Sequence, residues 1–87
     1  MAHRILMVED DFALAMGTEY ALASEGYEVA TAGNLAQARE KFDDSVALVL
    51  LDVMLPDGTG FEFCKELRER KCDVPIIFLT AVAEEAN

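Results

Sequence analysis

VALVLLDVMLPDGTG, residues 46–60, decides the fold. Val46 to Leu51 is apolar without a break. A run that short, made of Val, Leu and Ala, reads as a parallel strand buried on both faces rather than as a helix of ordinary length. It closes on Asp52. A carboxylate that ends a buried strand sits at the carboxyl edge of the sheet, where open α/β folds place their chemistry. Pro56, Gly58 and Gly60 then mark a sharp loop. Thr59 and Glu62 have the spacing of a capping box that starts the next helix.

Upstream of this stretch the same grammar appears twice. Arg4 to Val8 is a strand with apolar residues on both alternating faces, and it runs into the acids Glu9, Asp10 and Asp11. A helix is expected from about Asp11 to Glu25, with Leu14, Thr18, Ala21 and Leu22 as its core face. Gly17 falls on that face and would allow close approach to the sheet, at about 1 kcal/mol of helix stability relative to Ala. Gly26 supplies the stop. Tyr27 to Thr31 alternates in character and suits an edge strand. Asn34 and Gln37 are spaced as an N-cap and its partner, and Leu35, Ala38 and Phe42 form the inner stripe of that second helix. Downstream, Phe63, Cys64 and Leu67 line a third helix, with Arg68, Arg70 and Lys71 near its C-terminus, where cations are favoured. Val74 to Leu79 is the fourth strand, with Pro75 tolerable near its start. Thr80 and Ala81 follow, and a further helix can begin at Ala83. The order βαβαβαβ implies a parallel sheet with helical crossovers.

Composition narrows the function classes. The chain has 87 residues, enough for one domain spanning 1–87, and 53% of them are hydrophobic, which marks a globular chain. Seven basic residues stand against 17 acidic ones, a formal net charge of −10. Such a surface repels phosphate backbones, so nucleic-acid binding by these residues is not expected. No run approaches the roughly 20 apolar residues of a membrane span, and Ile5 to Val8 is too short for a secretory signal. Cys64 and Cys72 read as a small core hydrophobe and a spare thiol in a reducing cytoplasm, not as a disulfide framework.

Topology converts these elements into a site. Right-handed crossovers and a doubly wound sheet of order 2-1-3-4 put the first and third strands side by side at the switch point. Neighbouring strands lie about 4.8 Å apart. Glu9, Asp10 and Asp52 should therefore meet in one crevice, with Thr80 flanking Asp52 from the fourth strand. Two like charges about 4 Å apart repel by roughly 4 kcal/mol at an effective dielectric of about 20. No basic residue lies near these acids in the sequence, so a hard divalent cation is the economical counter-charge. Mg²⁺, which takes one or two carboxylates, waters and a phosphate oxygen, suits the set.

The acid pair in LMVEDD, the motif LLDVMLPDGTG and the strand IIFLTA occur in the order and at the separations of one family. On them the chain resembles the receiver domain of bacterial two-component response regulators, a flavodoxin-like fold. The resemblance implies that Asp52 is the phosphoacceptor, taking a phosphoryl group from a phosphohistidine on a sensor histidine kinase or phosphotransfer domain. It implies Mg²⁺ held by Glu9, Asp10, Asp52 and the backbone carbonyl of Met54, with Glu9 acting through a water. Thr80 would donate its hydroxyl to the phosphoryl oxygen and act as the switch, and the small Ala81 would leave the path open. The expected role is a cytoplasmic signalling module, not an enzyme beyond its own phosphorylation and dephosphorylation.

The family's fourth helix, fifth strand and fifth helix, and the lysine before a proline that pairs with the phosphoryl group, have no counterpart here. The expectation is a receiver cut short after its fourth strand, with the first helix alone on one face. The fourth strand would be an open edge through which copies of the chain self-associate. Phe12, Met16 and Tyr20, off the core face of the first helix, are then read as the surface for the missing helix, with a docking face for a kinase or phosphotransfer domain as the alternative. Two other readings are weighed. A Mg²⁺-dependent phosphohydrolase with Asp52 as nucleophile would commonly carry a second acid two residues on, and that position is Met54. A degenerate interaction module that takes no phosphate would not need the intact acids. Asp11 is read as a helix N-terminal charge and His3 as an exposed strand-start residue.

Overall fold

The computed structural model describes residues 3–79. Thr80, Ala81 and the helix expected from Ala83 lie outside the described residues. The elements are β1 (Arg4–Val8), α1 (Phe12–Ser24), β2 (Glu28–Ala32), α2 (Leu35–Lys41), β3 (Val46–Asp52), β4 (Met54–Leu55), β5 (Gly58–Thr59), α3 (Gly60–Glu69) and β6 (Ile76–Leu79). The main sheet has the order β2-β1-β3-β6 with every neighbouring pair parallel. This is the doubly wound order expected, with β6 as its fourth strand. The short antiparallel hairpin β4–β5 occupies what the sequence signals only as a loop.

The sheet separates two cores. Leu6, Val8, Val49 and Leu51 point to one face, where Leu35 and Ala38 of α2 and Phe63 and Leu67 of α3 close over them. Ile5, Met7 and Leu50 point to the other, where Ala15 of α1 is buried and Leu22 packs at the margin. Among the described residues, α1 is the one helix on that second face. The continuous apolar run in β3 follows from burial on both sides. Its register to β1 jumps, Arg4 pairing Val46 and Ile5 pairing Leu48. The skipped Ala47 is exposed, and the bulge lets Val46 and Val49, an odd spacing apart, enter the same core.

Capping sets the helix ends. Asp11 is the N-cap of α1, its carboxylate accepting from the Leu14 N–H at 3.0 Å. Asn34 caps α2 through the Gln37 N–H at 2.8 Å, while the Gln37 side chain reaches back to the Gly33 N–H at 2.8 Å. Thr59 and Glu62 form the expected capping box of α3. α1 ends in a Schellman pair: Gly26, at φ +95°, donates to the Ala23 carbonyl and Tyr27 to the Leu22 carbonyl. That bond draws Tyr27 out of β2. α3 ends the same way, with Lys71 and Cys72 donating to Arg68 and Leu67, and with Lys71 rather than a glycine at φ +64°.

Three expectations need correction. The buried face of α1 runs through Ala15 and Leu22; Leu14 and Ala21 are exposed. Gly17 makes no close approach, since a Cβ there would meet no atom within 4 Å. β6 begins at Ile76, because Pro75 has no N–H to give and contributes only its carbonyl, which accepts from the Val49 N–H at 3.0 Å.

Candidate metal and phosphoryl site

β1 and β3 are hydrogen-bonded neighbours, with Val8 level with Leu51. Their carboxyl ends therefore deliver Glu9, Asp10 and Asp52 to one place. Carboxylate oxygens of the three lie within 4.8 Å of one another. Glu9 is 7% exposed, Asp52 is half-buried and Asp10 is open to solvent. The Glu9 backbone N–H donates to the Ala32 carbonyl at 2.9 Å, fixing the end of β1 against β2. Its Oε2 accepts from the Asp11 N–H at 2.9 Å. Asp11 itself is occupied in capping α1, as its reading as a helix N-terminal charge requires.

The acids open into a crevice of about 410 Å³ whose apolar walls are Leu14, Met54 and Leu79. Among the described residues that line it, none is basic. Burial, then the charges of Asp52 and Asp10, push the Glu9 carboxyl above its ordinary value, against the opposing Asp11 N–H. The protein thus holds a carboxylate where its ionised form is costly; among the described residues the cation Lys41 lines a neighbouring cavity with Glu9 and Asp10 rather than this crevice. Three hard oxygen donors at this separation fit Mg²⁺, which favours carboxylates and water over nitrogen or sulfur. Another depression, of about 440 Å³, opens at the opposite edge of the sheet. Its charges are mixed, Asp44 and Asp73 against Arg70 and Lys71.

The loop after Asp52 is held by close backbone contacts. The Gly60 N–H donates to the Val53 carbonyl at 2.8 Å. A Cβ on Gly60 would collide with the Asp52 carbonyl oxygen and crowd the Leu51 side chain at 3.0 Å. Only glycine lets α3 start so near the end of β3. Met54 lies on β4, opposite Thr59, with its side chain exposed at the crevice mouth. Leu79 is level with Asp52 across β3 and β6, and Thr80 is the next residue in the chain, outside the described part.

Sequence reading missed Asp57. Its Oδ1 accepts from the Leu35 N–H at 2.8 Å and its Oδ2 from the Ala36 N–H at 3.1 Å. Those bonds, that to Leu35 foremost, hold its carboxyl below the usual range. Pro56-Asp57-Gly58 signals a turn, but donors 22 residues away leave no local trace.

A doubly wound sheet that gathers three acids at its switch point is the arrangement of a phosphoryl-receiving module. The chain belongs to the response regulator receiver domain family, whose pattern matches residues 5–87. It is 41% identical over 86 residues to the alkaline phosphatase synthesis transcriptional regulatory protein PhoP of Bacillus subtilis, covering 98% of this chain and 36% of that protein. Its fold is similar to the non-phosphorylated HemR receiver domain of Leptospira biflexa, with a TM-score of 0.86 and 37% identity over 92% of this chain and 65% of that one. It is also similar to the response regulator TrrA of Thermotoga maritima in complex with Mg²⁺ and beryllium fluoride. There the TM-score is 0.85 at 39% identity, covering 95% of this chain and 72% of that one. The chain spans about a third of the length of the curated relatives it matches.

Proposed function

We propose that these residues form the phosphoacceptor module of a two-component relay, with Asp52 taking a phosphoryl group from the phosphohistidine of a sensor kinase or phosphotransfer domain. One observation carries the reading: Glu9, Asp10 and Asp52 converge in a crevice that offers no cationic side chain among its described lining. Glu9, Asp10, Asp52 and the Met54 carbonyl would hold Mg²⁺, as the complex of TrrA with Mg²⁺ and beryllium fluoride supports by analogy. When bound, the ion would neutralise charge on the transferring group.

The chain's own residues do the positioning. Asp52 presents a carboxylate oxygen from a rigid strand end. Asp10, exposed, stays hydrated and reachable. Glu9, anchored by the Asp11 N–H, faces inward. Thr80 is assigned the switch hydroxyl that meets the phosphoryl oxygen. The acyl phosphate formed is a dianion that reorders loops, so the module signals rather than turning over substrate.

Receiver modules of this kind act in the cytoplasm, and no described helix is long and apolar enough to cross a membrane. Among the described residues β6 pairs with β3 alone.

The relay reading is tested with a small acyl-phosphate donor and Mg²⁺. Intact mass should rise by one phosphoryl group, and the gain should vanish with Asp52→Asn or with a chelator. Unchanged mass in the full-length protein, or a gain that survives Asp52→Asn, overturns it.

A further inference from the structure

The β4–β5 hairpin has two residues in each strand. A ladder that short does not hold itself together in water. Yet it carries Met54, whose carbonyl completes the oxygen set proposed above. Its conformation is imposed from outside at three points. Leu55 is buried in the larger core, which also holds Leu35. Gly58, at φ +151°, lies so close to Leu35 that a Cβ would come within 2.7 Å of its Cδ1. At the tip, Asp57 gives one carboxylate oxygen to each of the Leu35 and Ala36 N–H groups, the free donors that open α2. Asn34, the N-cap of the same helix, is spent on Gln37, so Asp57 and Asn34 divide the helix start between them without overlap.

Resting on the reading of the crevice as a Mg²⁺ site, we propose that Asp57 is a positioning residue for that site: it clasps the metal-binding loop to the start of α2 and so pre-sets the Met54 carbonyl. The geometry supplies a reason for an acid at this position beyond turn formation. A turn is already specified by Pro56 and Gly58. A bidentate contact across 22 residues is specified only by a two-oxygen side chain. Without the clasp, the loop must be ordered when the ion binds, and affinity falls by the cost of that ordering. By linkage, ion binding must tighten the clasp by the same factor. α2 thereby senses occupancy of a crevice it does not line.

Mg²⁺ titration of the full chain by amide NMR tests this, with wild type, Asp57→Ala, Asp57→Asn and Asn34→Ala compared at a temperature where each is folded. Asp57→Ala should weaken Mg²⁺ binding by about 5-fold. Asp57→Asn, which keeps one acceptor oxygen, should recover part of the loss. Asn34→Ala, which weakens the same helix start but not the clasp, should bind as wild type. In wild type, hydrogen exchange at Leu35 and Ala36 should slow when Mg²⁺ is added. Equal affinity in wild type and Asp57→Ala, or an equal loss in Asn34→Ala, overturns the inference while leaving the crevice reading standing. A wild-type protein that takes up no Mg²⁺ overturns both.

Discussion

Glu9 and Gly60 carry the site in opposite ways, one by charge and one by lack of a side chain. The Glu9 carboxyl is raised by burial and by Asp52 and Asp10. A raised acid favours the folded state while protonated, and that stabilisation is lost as pH rises through its folded value. At neutral pH the metal-free protein therefore bears the full cost. Glu9→Gln should stabilise the metal-free chain at neutral pH, because it removes the charge that burial and the neighbouring acids oppose. The gain should fade in acid below the ordinary carboxylate range, and the thermal stabilisation by Mg²⁺ should shrink. Thermal melts in chelator and in Mg²⁺ check it; a destabilised variant in chelator would refute the charge argument. Gly60→Ala should cost about 1–3 kcal/mol, the range for forcing a group into packed space. It should also slow uptake of phosphoryl from an acyl-phosphate donor, because the displaced backbone is that of Asp52 itself.

At the scale of elements, legibility followed how local the cause was. β3 was plain because burial on both faces writes an unbroken apolar run, and the capping box of α3 because both partners lie within one turn. The meeting of Glu9, Asp10 and Asp52 followed from the doubly wound strand order, which sets the ends of the first and third strands side by side. The face of α1 was misjudged in part: apolar residues, large and small, surround it, so the pattern lacked contrast, and Ala15 rather than Leu14 is buried while Thr18 and Leu22 are half-buried as expected. The end of α3 was blurred because Lys71 occupies the left-handed position where glycine would have signalled a stop. The role of Asp57 was invisible because it is tertiary. Two substitutions test these element-level causes. Gly17→Ala, with open space around its site, should add about 0.5–1 kcal/mol in urea or thermal unfolding. Lys71→Gly should add about 1 kcal/mol by relieving the left-handed backbone. Neither should alter phosphoryl uptake. A loss of stability in the first would mean that α1 is packed at Gly17 after all.

At the scale of the whole molecule, a net charge of −10 acts against compactness, while particular acids act for it. Asp57 is held low by the Leu35 and Ala36 N–H groups, Glu66 by Arg39, and Asp43 by Ser45. Arg39 and Glu66 meet by two hydrogen bonds, at 2.9 and 2.7 Å, and join α2 to α3. An acid with a lowered folded value contributes stability above its unfolded value and loses it as pH falls through the folded one. Glu9 and the general repulsion have the reverse sign. Descending from neutral pH, the first change is relief: ordinary carboxylates begin to protonate, and Glu9 before them. Only below the ordinary carboxylate range do Asp57, Glu66 and Asp43 let go. Stability in chelator should therefore rise from neutral pH to a maximum near about pH 5 and fall steeply below about pH 4. Roughly 0.5 M salt should flatten the rise by screening exposed charge, and Mg²⁺ should abolish much of it by occupying the crevice. Asp57→Asn should soften the acid limb without moving the maximum. A decline that starts at neutral pH and continues without a maximum would show that the paired acids, not the crevice and the net charge, govern the molecule.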